Sequence, residues 1–168
     1  MESKERMELA TLLDEGEVKH NGQVLQDFLC EGGTFQDAFG FTDDVMRAKY
    51  EIAYDYYQKK EYEQAISAFS YLTNLNPYIH KYWQALAAAQ VRCKFWLDAI
   101  NSYNAAALIE PNDPNPQLYS GHCFLELNQI NEAIEAFKAT IRIASRNHLY
   151  REIEEKAQEW LNKLLQAQ

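Results

Sequence analysis

One period dominates the chain. Between Met46 and Ser145 the sequence lies down on itself every 34 residues. Ala65, Ala99 and Ala133 share one column; Ile66, Ile100 and Ile134 share the next. Phe69, Tyr103 and Phe137 keep the same step, as do Pro77, Pro111 and Ser145. Numbering each repeat from Met46, His80 and Pro114 puts a second small residue, Ala53, Ala87 or Gly121, at position 8. Two antiparallel helices approach closely only where small side chains face each other. The columns therefore predict that position 8 of a first helix meets position 20 of a second. Tyr56, Phe69, Trp83, Leu86, Tyr103, Phe124 and Phe137 are expected to fill the spaces between helices. One such pair cannot bury its own apolar face, so several must stack into a continuous core.

A 34-residue helix–turn–helix period is that of the tetratricopeptide repeat (TPR). The fold expected is all-α: a three-repeat TPR solenoid with N-terminal helices and a C-terminal capping helix. The periodicity predicts repeat helices at 43–59, 62–75, 80–93, 96–109, 114–127 and 130–144. Thr42 and Asp113 stand as N-caps, with Pro114 as a first helical residue. Before the repeats, Glu2–Glu17 and Gly22–Glu31 read as helices. Gly32-Gly33 stops the second, and Thr34 caps a short turn from Phe35 to Phe39. Phe35, Phe39 and Phe41 are expected to pack on the first repeat. After Asn147, Leu149, Ile153, Trp160, Leu161, Leu164 and Leu165 recur at helical spacing, as a solenoid end requires. The expected organisation is residues 1–42 as N-terminal helices and connector, with a role in dimerisation, 43–145 as repeats and 146–168 as the cap.

Composition narrows the function. The formal charge of −9 argues against nucleic acid, whose affinity rests on cations neutralising phosphates, and against an anionic membrane surface. No apolar run approaches the 18 residues of a membrane span. Met1–Asp14 is too charged for a signal peptide, so a cytoplasmic location is expected. Cys30, Cys93 and Cys123, an odd and widely spaced set, suggest neither a disulfide framework nor a zinc site. Cys93 and Cys123 are placed inside first helices as small hydrophobes. His20, His80, His122 and His148 are scattered. No phosphate-binding loop, nucleophile elbow or metal spacing occurs, so neither an enzyme nor a cofactor is expected.

Function is then expected on the concave surface, which first-helix positions 2, 5, 9 and 12 line. Those are Arg47, Tyr50, Tyr54 and Tyr57 in the first repeat, Lys81, Gln84, Ala88 and Val91 in the second, and Asn115, Leu118, His122 and Leu125 in the third. Tyr50, Tyr54 and Tyr57 form one stripe, read as about 110° around the helix from a packing face of Ile52, Ala53 and Tyr56. Either the N-terminal helix covers this stripe or an extended apolar peptide does. Tyrosine suits a peptide, offering area, few rotamers and a hydroxyl for the backbone. TPR domains that grip the C-terminal carboxylate of heat-shock chaperones need Lys and Asn at positions 5 and 9 of the first repeat and Lys and Arg at positions 2 and 6 of the third. Tyr50, Tyr54, Asn115 and Tyr119 stand there instead, which argues against an acidic tail as ligand.

Phe28-Leu29-Cys30-Glu31-Gly32-Gly33-Thr34, followed by Tyr50-x-x-Ala53-x-x-x-Tyr57 and Tyr62-x-x-Ala65, resembles the class II chaperones of bacterial type III secretion (the SycD/LcrH/IpgC family). The resemblance covers about residues 24 to 165. It implies a cytoplasmic chaperone for the hydrophobic translocator proteins of a type III secretion system. It also implies a homodimer that does not insert into membranes. It places an extended P-x-L-x-x-P segment in the groove, on Tyr50, Tyr54, Tyr57 and Tyr62, then Gln84, Ala88, Val91, Leu118, His122 and Leu125. Gln90, where an aromatic is usual, and a long N-terminal extension depart from the pattern. The alternative is a TPR adaptor or scaffold without chaperone activity.

Overall fold

The computed structural model describes residues 26–166. The expected helix Glu2–Glu17 and the start of the Gly22–Glu31 helix lie outside the described residues. The chain divides into two units at Thr42/Asp43. In the first, residues 26–30 are helical and a turn leads into a short helix, Phe35–Ala38. The Gly-Gly-Thr motif has a local physical account. Gly32 takes φ +94°, open to glycine at no steric cost. A Cβ on Gly33 would stand 2.3 Å from the Phe28 ring. Thr34 then closes a capping box: its Oγ1 accepts from the Asp37 N–H (3.2 Å) and Asp37 Oδ2 accepts from the Thr34 N–H (3.1 Å).

The second unit carries the repeats. Its helices are α1 (Asp43–Gln58), α2 (Tyr62–Leu75), α3 (His80–Arg92), α4 (Trp96–Ile109), α5 (Asn115–Glu126) and α6 (Ile130–Ala144). A 3-10 turn, His148–Tyr150, leads into α7 (Arg151–Gln166). Each helix packs chiefly on its neighbours in sequence, the one-dimensional arrangement of a repeat protein. No strand occurs among the described residues. Ala53, Ala65, Ala87, Ala99 and Ala133 are all fully buried. Ala87 and Ala99 share one core with Ile100, Tyr103 and Cys123, while Ala133, Ile134 and Phe137 share another with Leu118, Ala157 and Leu161. At Gly121 the close neighbour is the Phe137 ring, 2.7 Å from where a Cβ would stand.

The turn inside each repeat follows one plan that the sequence did not advertise. Lys60, Lys94 and Asn128 hold left-handed conformations, with φ of 63°, 62° and 55°. They are themselves one repeat apart. The amide of the following residue reaches back to the helix in each case: Glu61 N–H to Tyr56 O (3.0 Å), Phe95 N–H to Gln90 O (2.9 Å), and Gln129 N–H to Phe124 O (2.9 Å). This is the Schellman closure usually built on glycine. A lysine there costs about 1–2 kcal/mol in backbone strain, which the packed helices must outweigh.

Several expectations need correction. Ile52 is 58% exposed and does not pack. At 100° per residue, Met46, Tyr57 and Tyr50 lie roughly 20–60° from Ala53 on one side, and Ile52 lies about 100° away on the other. The inward face is therefore Met46, Tyr50, Ala53 and Tyr57. Cys93 ends α3 as its C-cap rather than sitting within it. Leu149 and Leu165 are exposed at 75% and 53%. Leu149 precedes α7 in the 3-10 turn, and Leu165 turns about 40° beyond Leu161, away from the core. Gln90, standing where an aromatic was expected, is buried and accepts a hydrogen bond from Ser102 Oγ (2.8 Å), which offsets its desolvation. Helix α5 begins at Asn115, so Pro114 rather than Asp113 is its N-cap; Asp113 Oδ1 instead accepts from the Asn115 N–H at 3.0 Å, an Asx turn that leads into the helix.

Replacing Gly121 by Ala tests the tightest contact. Alanine favours a helix interior by about 1 kcal/mol, whereas overpacking against the immobile Phe137 costs about 1–3 kcal/mol. Gly121→Ala should therefore lower the urea midpoint, and a raised midpoint would show that Phe137 yields freely.

Candidate functional site: a tyrosine-lined groove

The inner edges of α1, α3 and α5 enclose an open groove of about 530 Å3. Helix α1 supplies Tyr50, Tyr54 and Tyr57 at i, i+4 and i+7, which one helix face requires. Their rings form a continuous stack: Tyr50 and Tyr54 centroids are 6.3 Å apart, and so are Tyr54 and Tyr57. Tyr62, on α2, meets Tyr57 edge-on at 5.5 Å. Tyr50 is fixed from behind by Phe69 (5.6 Å) and Tyr82 (5.8 Å), so the first groove residue is also the edge of the core. Tyr54 stands furthest out, 47% exposed.

Helix α3 supplies the floor: Lys81, Gln84, Ala85, Ala88, Val91 and Arg92. Alanines at 85 and 88 keep it low enough for a main chain to approach. Gln84 is tied down, its Nε2 donating to Asp113 Oδ2 at 2.7 Å. Asp113, nearly buried, also accepts from Asn115 Nδ2 (2.7 Å), and His80 Nε2 lies 3.2 Å from its Oδ2 without the alignment of a hydrogen bond. This polar node joins α3 to the start of α5 and fixes the groove width there. Two cations edge the floor. Lys81 Nζ sits 4.8 Å from the Tyr50 ring centroid, and the Arg92 guanidinium 5.0 Å from that of Tyr62.

The protonation states are those of a neutral apolar surface. Burial, then the neighbouring Tyr54, pushes the Tyr50 hydroxyl up. Burial does the same to Tyr82, helped by Asp43 and Tyr50, and to Tyr103 more strongly. Cys123 is raised to about 11, chiefly by burial, and stays a protonated thiol.

The third repeat departs from the expected lining. Leu118 is 5% exposed and packs in the core with Ala157 and Leu161 of α7, because the end helix covers α5 and α6 there. His122 and Leu125 line a second cavity of about 240 Å3 instead, with Val91, Trp96, Tyr103, Tyr119, Cys123, Glu126 and Trp160. His122 is wedged edge-on between Phe137 (5.4 Å) and Trp160 (5.1 Å). Of the residues expected in the groove, Tyr50, Tyr54, Tyr57, Gln84, Ala88 and Val91 come together; Tyr62 buttresses them; Leu118 does not reach it. Ala85, Arg92 and Trp160 fall outside the four lining positions; the helical period could have offered Ala85 and Arg92, which lie about 40° and 20° from Lys81 on α3, but not Trp160 of α7.

The tetratricopeptide-repeat family matches residues 49–78. The chaperone protein SicA of Salmonella typhimurium is 28% identical over 116 residues, spanning 69% of this chain and 70% of SicA. The likeness to SicA is one of sequence; two solved structures share the fold. A type III secretion complex from Aeromonas hydrophila superposes with a TM-score of 0.82 at 21% identity, covering 86% of this chain and 97% of that one. PcrH in complex with the chaperone binding region of PopD gives 0.72 at 22% identity, covering 76% and 96%. No helix among the described residues is long and apolar enough to cross a membrane.

His122 gives the groove's far end a pH dependence. Burial lowers its pKa from 6.5. Below about pH 6.5 the unfolded chain therefore binds the proton more readily than the folded one. Stability attributable to His122 is full above that pH and declines as pH falls toward the folded value. Thermal melts from pH 7.5 to 5 should show a smaller loss for His122→Gln than for the natural chain; equal losses would place the titration elsewhere.

Proposed function

We propose that this chain is a cytoplasmic chaperone of type III secretion that binds an extended segment of hydrophobic translocator proteins in its TPR groove. The binding keeps these clients soluble and competent for secretion. The observation that carries the reading is the Tyr50–Tyr54–Tyr57 stack facing the low floor of Ala85 and Ala88. An aromatic wall against small side chains suits a main chain laid flat with alternate apolar side chains inserted. The likeness to SicA and to PcrH with its bound PopD region supports the same role. The contacts proposed are Tyr50, Tyr54 and Tyr57 on the wall and Gln84, Ala88 and Val91 on the floor. Tyr62 supports them, with His122 and Leu125 at the far end. The role is one of stoichiometric binding without catalysis or cofactor.

Full burial of one such apolar side chain is worth about 1.5–3 kcal/mol, so a few of them reach micromolar affinity once ordering the peptide is deducted. Calorimetric titration of a P-x-L-x-x-P-type translocator peptide should show such binding, weakened at least tenfold in Tyr54→Ala, Tyr57→Ala. Equal binding by both proteins would move the site off the groove. No binding to either would leave a TPR adaptor as the better reading.

The chain is further proposed to form a homodimer. The likeness to SycD, whose structure includes an alternative dimer, supports this. Light scattering should give a mass near twice 19.6 kDa; a monomer throughout the micromolar range would overturn this.

A further inference from the structure

The second cavity takes in Val91, His122 and Leu125 from the repeat positions that outline the groove, but one wall of it comes from α7. Val91, Tyr103 and Tyr119 line both spaces, so the two adjoin across a single layer of side chains. The cavity measures about 240 Å3, whereas about 150 Å3 lined by apolar groups suffices to hold benzene. Rings form most of its wall. Trp160 stacks on Phe137 at 6.3 Å, and Tyr103 and Tyr119 stack at 5.7 Å. Trp96, Tyr103, Tyr119, His122 and Trp160 all line the space, so a further ring entering it meets aromatic neighbours with which offset and edge-to-face contacts are favourable. Glu126, exposed at the rim, repels a carboxylate. His122 offers no charge to attract one, since burial disfavours its protonation.

We propose that this compartment, lined by Trp160, is a second anchor that takes one aromatic side chain of the same extended client segment. The inference rests on the groove reading and adds a specificity element to it. A client that carries a phenylalanine, tyrosine or tryptophan a few residues from its groove-bound core is preferred over one that carries an aliphatic or acidic residue there. The end helix becomes part of recognition as well as a cap on the core.

Two measurements on the full chain decide it. In the first, the Trp160 indole N–H and His122 ring resonances are followed by NMR as N-acetyl-phenylalaninamide or N-acetyl-aspartate amide is added. Saturable shifts with the phenylalanine probe alone are expected. The His122 shift should be lost in Trp160→Ala and regained in Trp160→Phe, which restores a ring to the wall if Trp160→Ala loosens α7. In the second, a P-x-L-x-x-P-type peptide is lengthened by six residues at either end, and phenylalanine is moved through the added positions. One position should tighten binding at least fivefold in the natural chain and in Trp160→Phe, and not in Trp160→Ala. No saturable shift with the phenylalanine probe would overturn the proposal. So would a His122 shift surviving in Trp160→Ala, or no position gaining more than twofold. Failure of even the short peptide to bind would sink the groove reading instead, and the probe titration would still decide whether the compartment takes a ring.

Discussion

The close approach of paired helices is the constraint on which everything else depends. Ala53, Ala65, Ala87, Ala99 and Ala133 are fully buried, and Gly121 has no room for even a methyl group beside Phe137. A larger side chain in these columns would push two helices apart. Because each helix rests mainly on its sequence neighbours, that displacement would propagate along the stack rather than be absorbed. The groove is only as regular as this spacing, since its walls are the inner edges of α1, α3 and α5.

The same register supports three different surroundings. Position 5 is Tyr50 in the first repeat, where it joins core to groove; Gln84 in the second, where it is fastened to Asp113; and Leu118 in the third, where α7 buries it. Position 9 runs from an exposed Tyr54 through the small Ala88 to His122 wedged between two rings. The backbone repeats, and the chemistry grades from an aromatic wall to a low floor to a ring-lined end. Exposed pairs such as Lys156–Glu152 and Lys163–Glu159 lie on α7, where solvent screens them. Lys81 and Arg92 instead lie over tyrosine rings at the groove.

The chain's own sequence determined the helices, their pairing and the tyrosine stripe. All three are periodic, and a period of 34 residues for the repeat and 3.6 for the helix can be read without knowing any contact. Helix bounds agreed to within a residue or two because the 34-residue period repeats the same turns and Pro77 and Pro111 punctuate two of the links. Which side of α1 faces inward was misjudged at Ile52, because hydrophobicity alone does not say which apolar edge a neighbour will cover. Leu118 and Trp160 were decided only by tertiary structure. Both depend on where α7 settles after the last repeat, and no period fixes that placement, since the cap has no counterpart in the repeat. The left-handed turns at Lys60 and Lys94 were hidden because lysine seldom adopts that conformation, whereas Asn128 in the same column is a residue that tolerates it.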